Sequence, residues 1–80
     1  MNKLYYFYTD TRNDMICKMW EKYVNVLKEI NIEPILEEEQ SNEVARWCLC
    51  LDGKIHYFFQ NQIVTPSMVR DEVVRLTKVL

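Results

Sequence analysis

A two-residue turn, Asp52-Gly53, is the feature that most narrows what this chain can fold into. It lies between "VARWCLCL", residues 44–51, and "KIHYFF", residues 54–59, which are both rich in apolar and aromatic residues. An Asp-Gly pair accommodates the positive φ angles of the tight turns that join antiparallel strands. The sequence therefore predicts a β-hairpin, and the length of the turn fixes which residues pair across it.

Two further strands are predicted before the hairpin. "KLYYFYT", residues 3–9, is an aromatic run without a break, which predicts a central strand buried on both faces. "IEPILEEE", residues 32–39, predicts a second strand. Pro34 has no N–H to donate to a neighbouring strand, so we expect this strand at an edge of the sheet.

A long amphipathic helix is predicted between the first two strands. Over residues 14–30 the apolar side chains recur every three or four positions. Thr11, Asn13 and Asp14 supply oxygens for the free amides of its first turn, and the helix dipole favours the negative charge of Asp14 there.

A second helix closes the chain over residues 65–80. Thr65 is its expected N-cap, and Pro66 is suited to the first helical position because the N–H that it lacks would be unpaired there. The element order is then βαβββα within a single domain, residues 1–80. This order predicts an α/β (α+β) fold with a four-stranded mixed sheet and helices packed on it.

The composition argues against several classes of function. Ten Lys and Arg against twelve Asp and Glu leave a net charge of −2, which is not the electrostatic footprint of a nucleic-acid-binding protein. No apolar stretch approaches the roughly 18 residues of a membrane span, and "MNKLYYFY" is too short and too rich in tyrosine for a signal peptide. Three cysteines, an odd number, predict free thiols. We expect a cytoplasmic protein without a membrane or nucleic-acid partner.

The element order and three short motifs resemble the thioredoxin fold in its minimal, glutaredoxin-like form. "YTDTRNDMICKMW", residues 8–20, is similar to the Tyr-Thr, loop and Cys-Pro-x-Cys-Lys pattern of glutaredoxins and NrdH-type proteins. "VLKEINIEPILEEE", residues 26–39, is similar to their helix end and second strand, and "CLCLDGKIHYFF", residues 48–59, resembles their hairpin. The resemblance spans nearly the whole chain, but the segment between the second and third strands is shorter than in the family, whose intervening helix is reduced or missing here.

The resemblance also implies that the family's active site is degenerate in this chain. Asp14 stands where the family has its attacking cysteine and Met15 where it has proline, so that only the resolving cysteine remains, as Cys17. Asp14 accepts the same amide hydrogen bonds as a thiolate but cannot attack a disulfide, and we expect Cys17 to be inert beside the apolar helix face. Ala45 aligns with the family's cis-proline, and "QNQIVTPS", residues 60–67, lacks the glycine pair of its glutathione site.

The other two cysteines are predicted to pack in the core. Cys48 and Cys50 lie two apart on a strand, so their side chains share a face but are too far apart for an unstrained disulfide. His56 pairs with Leu49 in the predicted register and therefore lies on the opposite face, which argues against a metal site. A single glycine excludes a glycine-rich phosphate loop, and no cofactor is expected.

A binding or regulatory module without turnover is the function that these features favour. We expect a protein partner, a regulatory or inhibitory role, and a monomer or weak homodimer. The predicted contact residues lie at the former substrate groove and are Thr11, Arg12, Asn13, Arg46 and Trp47. For Trp47, packing in the core is the alternative interpretation, and the sequence slightly favours it.

Two other functions stay open at the level of sequence. The first is an atypical disulfide oxidoreductase that uses Cys17 as a single thiol or pairs it with Cys48. The second is a nucleic-acid module with bases stacked on the aromatic sheet, which requires Tyr6, Tyr8 or Phe58 to be exposed and a basic rim around them.

Overall fold

The described elements form a four-stranded mixed sheet with the described helices on one side. The computed structural model describes residues 2–8, 15–38, 45–51, 53–60 and 62–78. The elements in chain order are β1 (Asn2–Tyr8), α1 (Met15–Lys18), α2 (Trp20–Lys28), β2 (Ile32–Glu38), β3 (Arg46–Leu51), β4 (Lys54–Phe58) and α3 (Pro66–Lys78). The predicted α+β class with a four-stranded mixed sheet is therefore confirmed.

The sheet has the strand order β2-β1-β3-β4. β1 runs parallel to β2 and antiparallel to β3, and β3 runs antiparallel to β4. The edge position of β2 confirms the expectation from Pro34. Leu51 pairs with Lys54 and Leu49 with His56, which is the register that a two-residue turn predicts.

One face of the sheet forms the hydrophobic core with the helices. The core combines alternate residues of the strands with the apolar faces of the helices, and its members are Leu4, Tyr6, Ile16, Tyr23, Leu27, Ile32, Trp47, Leu49, Leu51, Val64, Val69 and Val73. Trp47 lies at the centre, with its ring centroid 4.8 Å from that of Tyr6, 5.4 Å from that of Tyr23 and 5.8 Å from that of Trp20. These ring contacts join β1, β3 and α2.

The prediction of one long helix over residues 14–30 is wrong in one respect, because the structure divides this segment into α1 and α2 at Met19. Met19 has φ −110° and ψ 18°, and its amide lies within hydrogen-bond distance of both the Met15 and the Ile16 carbonyl oxygens. No glycine or proline marks this position. The break precedes Trp20, whose ring stacks on Trp47 with the planes 15° apart, so tertiary packing accompanies a break that local propensity does not signal.

The prediction that β1 is buried on both faces is also wrong. Leu4 and Tyr6 are buried against the helices, whereas Tyr5 and Phe7 are only half-buried on the other side. The described helices bury their apolar residues in the one core on the Leu4 side. The sheet is therefore covered on one face by the described elements.

α3 begins as the sequence predicts. The Met68 amide donates a hydrogen bond to Thr65 Oγ1 at 3.2 Å, which makes Thr65 the N-cap ahead of Pro66. The buried Tyr23 hydroxyl donates to the Val64 carbonyl oxygen and so ties α2 to the segment that leads into α3. Val69 and Val73 then bury the inner face of the helix.

Candidate functional site

The degenerate cysteine motif lies only partly within the described residues. Thr11, Arg12, Asn13 and Asp14, and with them the predicted cap and contact loop, fall outside those residues. Met15 begins α1 and is 50% exposed.

Cys17 lies on the helix side of the sheet. Its side chain is half-buried and packs against the hydrophobic core. Partial burial raises the pKa of the nearby Tyr8, and the charge of Glu38 and then Cys17 raise it further. A shallow depression lined by residues 17–22 opens at the break between α1 and α2. Packing of this kind is typical of a structural cysteine.

Trp47, predicted as a contact residue, and Ala45, aligned with the family's cis-proline, belong to the core side. Trp47 is 0% exposed, so its prediction as a contact residue is wrong, and the alternative interpretation as a core residue is confirmed. The reason is the alternation of β3, which directs Trp47 toward Tyr6 and α2. Ala45 is half-buried and also packs against the core. Arg46 has the opposite orientation and lies on the other side of the sheet.

The second side of the sheet forms a surface that we call the open face. It consists of the residues that alternate with the core positions, which are Lys3, Tyr5 and Phe7 of β1, Glu33, Ile35 and Glu37 of β2, Arg46, Cys48 and Cys50 of β3, and Ile55 and Tyr57 of β4. Ile55 is 57% exposed and Tyr57 49% exposed. Both side chains would be buried if a described helix covered them.

Strand register arranges the open face in three rows across the sheet. The middle row is apolar and consists of Ile35, Tyr5, Cys48 and Tyr57. The first row is Glu33, Lys3, Cys50 and Ile55, and the third is Glu37, Phe7 and Arg46. Both carboxylates therefore lie on β2 at one flank, and the apolar surface widens toward β4.

Arg46 lies among the aromatic rings of the open face. Its guanidinium carbon is 4.9 Å from the Tyr57 ring centroid and 5.5 Å from that of Phe7, which are cation–π distances. Tyr5 and Phe7 stack on the same strand with their ring centroids 6.0 Å apart. The rings of β1 and β4 are thus linked across β3 by one cationic side chain.

The prediction that both neighbouring cysteines lie in the core is wrong for Cys50. The two side chains share the open face as expected, but Cys48 is 3% exposed and Cys50 is exposed. Burial, followed by the proximity of Cys50, raises the pKa of the Cys48 thiol from 9.0 to about 11. Cys17 and Cys48 lie on opposite sides of the sheet, so this fold does not bring together the Cys17–Cys48 pair of the oxidoreductase hypothesis.

His56 lies on the side of β4 opposite the two thiols, as its predicted pairing with Leu49 requires. Within the described ranges, no group of three His, Cys, Asp or Glu side chains could hold a metal ion.

The aromatic residues named for base stacking are not those of the open face. Tyr6 is 3% exposed and packs on Trp47, while Tyr8 and Phe58 are half-buried against the core. These three therefore cannot form the stacking platform on which that hypothesis depended.

Four residues of the open face, Tyr5, Phe7, Ile55 and Tyr57, are not predicted as surface residues from the sequence. The available signal was the two-residue period of a strand. Once Tyr6 and Trp47 are placed in the core, alternation assigns the neighbouring residues to the other face.

Comparison of the chain with family models, curated proteins and solved structures gave no match. None of the helices in the described ranges is long and apolar enough to cross a lipid bilayer. The open face is therefore the feature on which a functional hypothesis can be built from this chain alone.

Proposed function

We propose that this chain is a small thioredoxin-like module without turnover, which binds a partner protein through the open face. The observation that carries the proposal is the exposed apolar surface of Ile55 and Tyr57 beside the half-buried rings of Tyr5 and Phe7. Contiguous apolar surface of this kind marks interaction sites on proteins that are otherwise polar outside. The module would act in the cytoplasm, where its thiols stay reduced.

The thioredoxin-like part of the proposal draws on the layout of the sheet. β1 lies between a parallel edge strand and an antiparallel hairpin, and the helix segments α1 and α2 connect β1 to β2. Seven residues, 39–45, join β2 to β3. A helix that runs the length of β2, seven residues or about 23 Å, needs about fifteen residues. The connection is thus shorter than a helix that would cover the open face.

A helix of the partner protein is the occupant that this surface suits. The apolar middle row offers a floor for the nonpolar stripe of an amphipathic helix lying along the strands. Glu33 and Glu37 form an acidic flank on β2, and Arg46 provides positive charge on β3. We therefore expect a partner helix with Lys or Arg on the side over β2.

Cys50 provides an attachment point for testing the proposal, because it is exposed at the border of the open face while Cys48 is buried with a raised pKa. The purified protein, labelled at Cys50 with a benzophenone maleimide, should cross-link a partner in a lysate of cells that express it. The matched control is Lys22→Cys in a Cys50→Ser background, which places the same probe on the exposed side of α2.

The captured protein must then be purified and its affinity measured. We expect Tyr57→Ala to weaken binding by about tenfold or more, as truncation of a central aromatic contact does, and Lys22→Ala to leave it unchanged. Equal capture from both probe positions, or full affinity with Tyr57→Ala, would contradict the proposal.

The oxidoreductase hypothesis is tested separately by the rate at which a thiol reagent labels Cys17. We expect labelling no faster in the native protein than in the denatured protein. Much faster native labelling, together with turnover of a small disulfide substrate, would replace the binding module with an enzyme.

A further inference from the structure

The outer edge of β4 carries backbone groups, at two known positions, that no described strand pairs. A two-residue turn makes Leu51 and Lys54 a hydrogen-bonded pair, and such pairs alternate along an antiparallel ladder. Lys54, His56 and Phe58 therefore direct their N–H and C=O groups toward β3. Ile55 and Tyr57 direct theirs outward, away from the sheet.

The same two residues carry the most exposed apolar side chains of the strands. Ile55 is 57% exposed and Tyr57 49% exposed. β4 ends the strand order, so no described strand covers this edge. An edge with free backbone groups and apolar side chains is a template for another strand.

The opposite edge of the sheet is protected. β2 contains Pro34, which has no N–H, and the carboxylates of Glu33, Glu37 and Glu38. Pairing of this strand with a second copy would oppose like charges. β4 contains no proline and no carboxylate, and Lys54 is its single permanently charged residue.

We propose that the β4 edge binds β4 of a second copy of this chain in an antiparallel pair centred on His56. In this register Ile55 lies opposite Tyr57 of the second copy, and each exchanges its outward N–H and C=O with the other. The two-fold axis repeats the exchange, so that four backbone hydrogen bonds form. Lys54 then lies opposite Phe58 of the second copy.

The two neighbouring registers pair fewer of the outward backbone groups of β4. Centring the pair on Ile55 brings His56 opposite Lys54 of the second copy. Centring it on Tyr57 brings Ile55 opposite Phe59, whose φ of 51° takes it out of the extended conformation. Only the His56-centred register pairs the outward N–H and C=O groups of both Ile55 and Tyr57 within the strand. It also places the aromatic Tyr57 opposite the β-branched Ile55 twice.

The result is an eight-stranded sheet whose two open faces are continuous. The contact between two five-residue strands is smaller than a standard interface, so we expect a dissociation constant on the order of 100 µM. This inference rests on the β4 edge and does not depend on the proposed function, which rests on the open face.

Two substitutions at position 55 distinguish the contribution of the backbone hydrogen bonds to the dimer from that of the side chains. Ile55→Pro removes an outward N–H but no hydrogen bond to β3, because the N–H of residue 55 points away from β3. Outward positions of an edge strand tolerate proline. Ile55→Ala removes the side chain and keeps the N–H. We expect sedimentation to show a concentration-dependent dimer for wild type, a dimer weakened a few-fold for Ile55→Ala, and a monomer for Ile55→Pro.

Amide hydrogen exchange of the wild-type protein provides a test that does not rely on a variant folding. As concentration rises from micromolar to millimolar, the amides of Ile55 and Tyr57 should gain protection, and that of His56, already bonded to β3, should not. A wild-type monomer throughout this range, or a dimer that persists in folded Ile55→Pro, would overturn the inference. The latter result would point to association through the open face.

Discussion

Replacement of Tyr23 by phenylalanine tests how α2 is fixed to the rest of the core. Tyr23 is 1% exposed, and its hydroxyl donates to the carbonyl oxygen of Val64, which is 4% exposed. Tyr23→Phe removes the donor without changing the ring, so that the Val64 oxygen is left buried without this partner. We expect a loss of about 1–3 kcal/mol, the cost of an unsatisfied buried polar group.

That loss is large for a chain of 80 residues. The total free energy of unfolding is about 4–12 kcal/mol at this length, and each kcal/mol corresponds to about 4–8 °C in Tm. Urea unfolding followed by far-ultraviolet circular dichroism would measure the change, with the slope of the unfolding free energy against urea expected to stay constant.

Tyr57→Phe is the matched control, because it removes the same hydroxyl from a ring that is 49% exposed. We expect its free energy of unfolding to change by less than about 0.5 kcal/mol. If Tyr23→Phe were no more destabilising than Tyr57→Phe, the buried hydrogen bond would not fix α2, and its contribution would have to be assigned to ring packing alone.

Three other perturbations have expected outcomes that local chemistry sets. Thr65→Ala should cost about 1 kcal/mol of stability because the Met68 amide loses its cap, whereas Thr65→Ser should restore most of it in the same urea titration. Gly53→Ala should lower the free energy of unfolding by about 1 kcal/mol, because alanine is strained at a φ of +78°. No steric clash adds to this cost, since no atom lies within 4 Å of an added Cβ. A Tm equal to that of the wild type would refute this. The Cys48 thiol, whose pKa is raised to about 11 in the folded state from 9.0, favours the folded state below pH 9 and should lose that contribution between pH 9 and about 11. Unfolding titrations across this range should therefore show a steeper loss for wild type than for Cys48→Ala, and parallel curves would exclude the titration.

The features that sequence reasoning predicts correctly depend on local chemistry. The two-residue turn sets the pairing of Leu49 with His56, Pro34 excludes one edge of β2 from a ladder, and the Thr65 hydroxyl reaches the first turn of α3. Each is a consequence of one residue and its immediate neighbours, so a single sequence contains the necessary information.

The features that sequence reasoning misses depend on distant parts of the chain. Tyr5 and Phe7 are predicted as core residues because an aromatic run without polar residues looks the same whether one face is covered or two. Whether the second face is covered depends on segments distant in sequence from β1, which the run itself does not report. For the same reason Cys50 is predicted in the core, although it alternates with the buried Leu49 and Leu51.

The break at Met19 has a different origin. Neither glycine nor proline occurs there, and the apolar spacing continues through it. The stacking of Trp20 on Trp47 joins residues 27 positions apart in sequence, a contact that helical periodicity does not report. The open face and the helix break could therefore be predicted only if the order of the strands in the sheet were already known.

The one-sided placement of the helices also sorts the chromophores of this chain. Both of its tryptophans, Trp20 and Trp47, stack between α2 and the sheet, whereas Tyr5 and Tyr57 lie on the opposite side. Indole rings at this separation couple electronically, so the near-ultraviolet dichroism should report the packing of one interface. A ligand bound to the other side of the sheet should leave the indole bands unchanged and perturb the tyrosine absorption, which would allow occupancy and core integrity to be read independently from one spectrum.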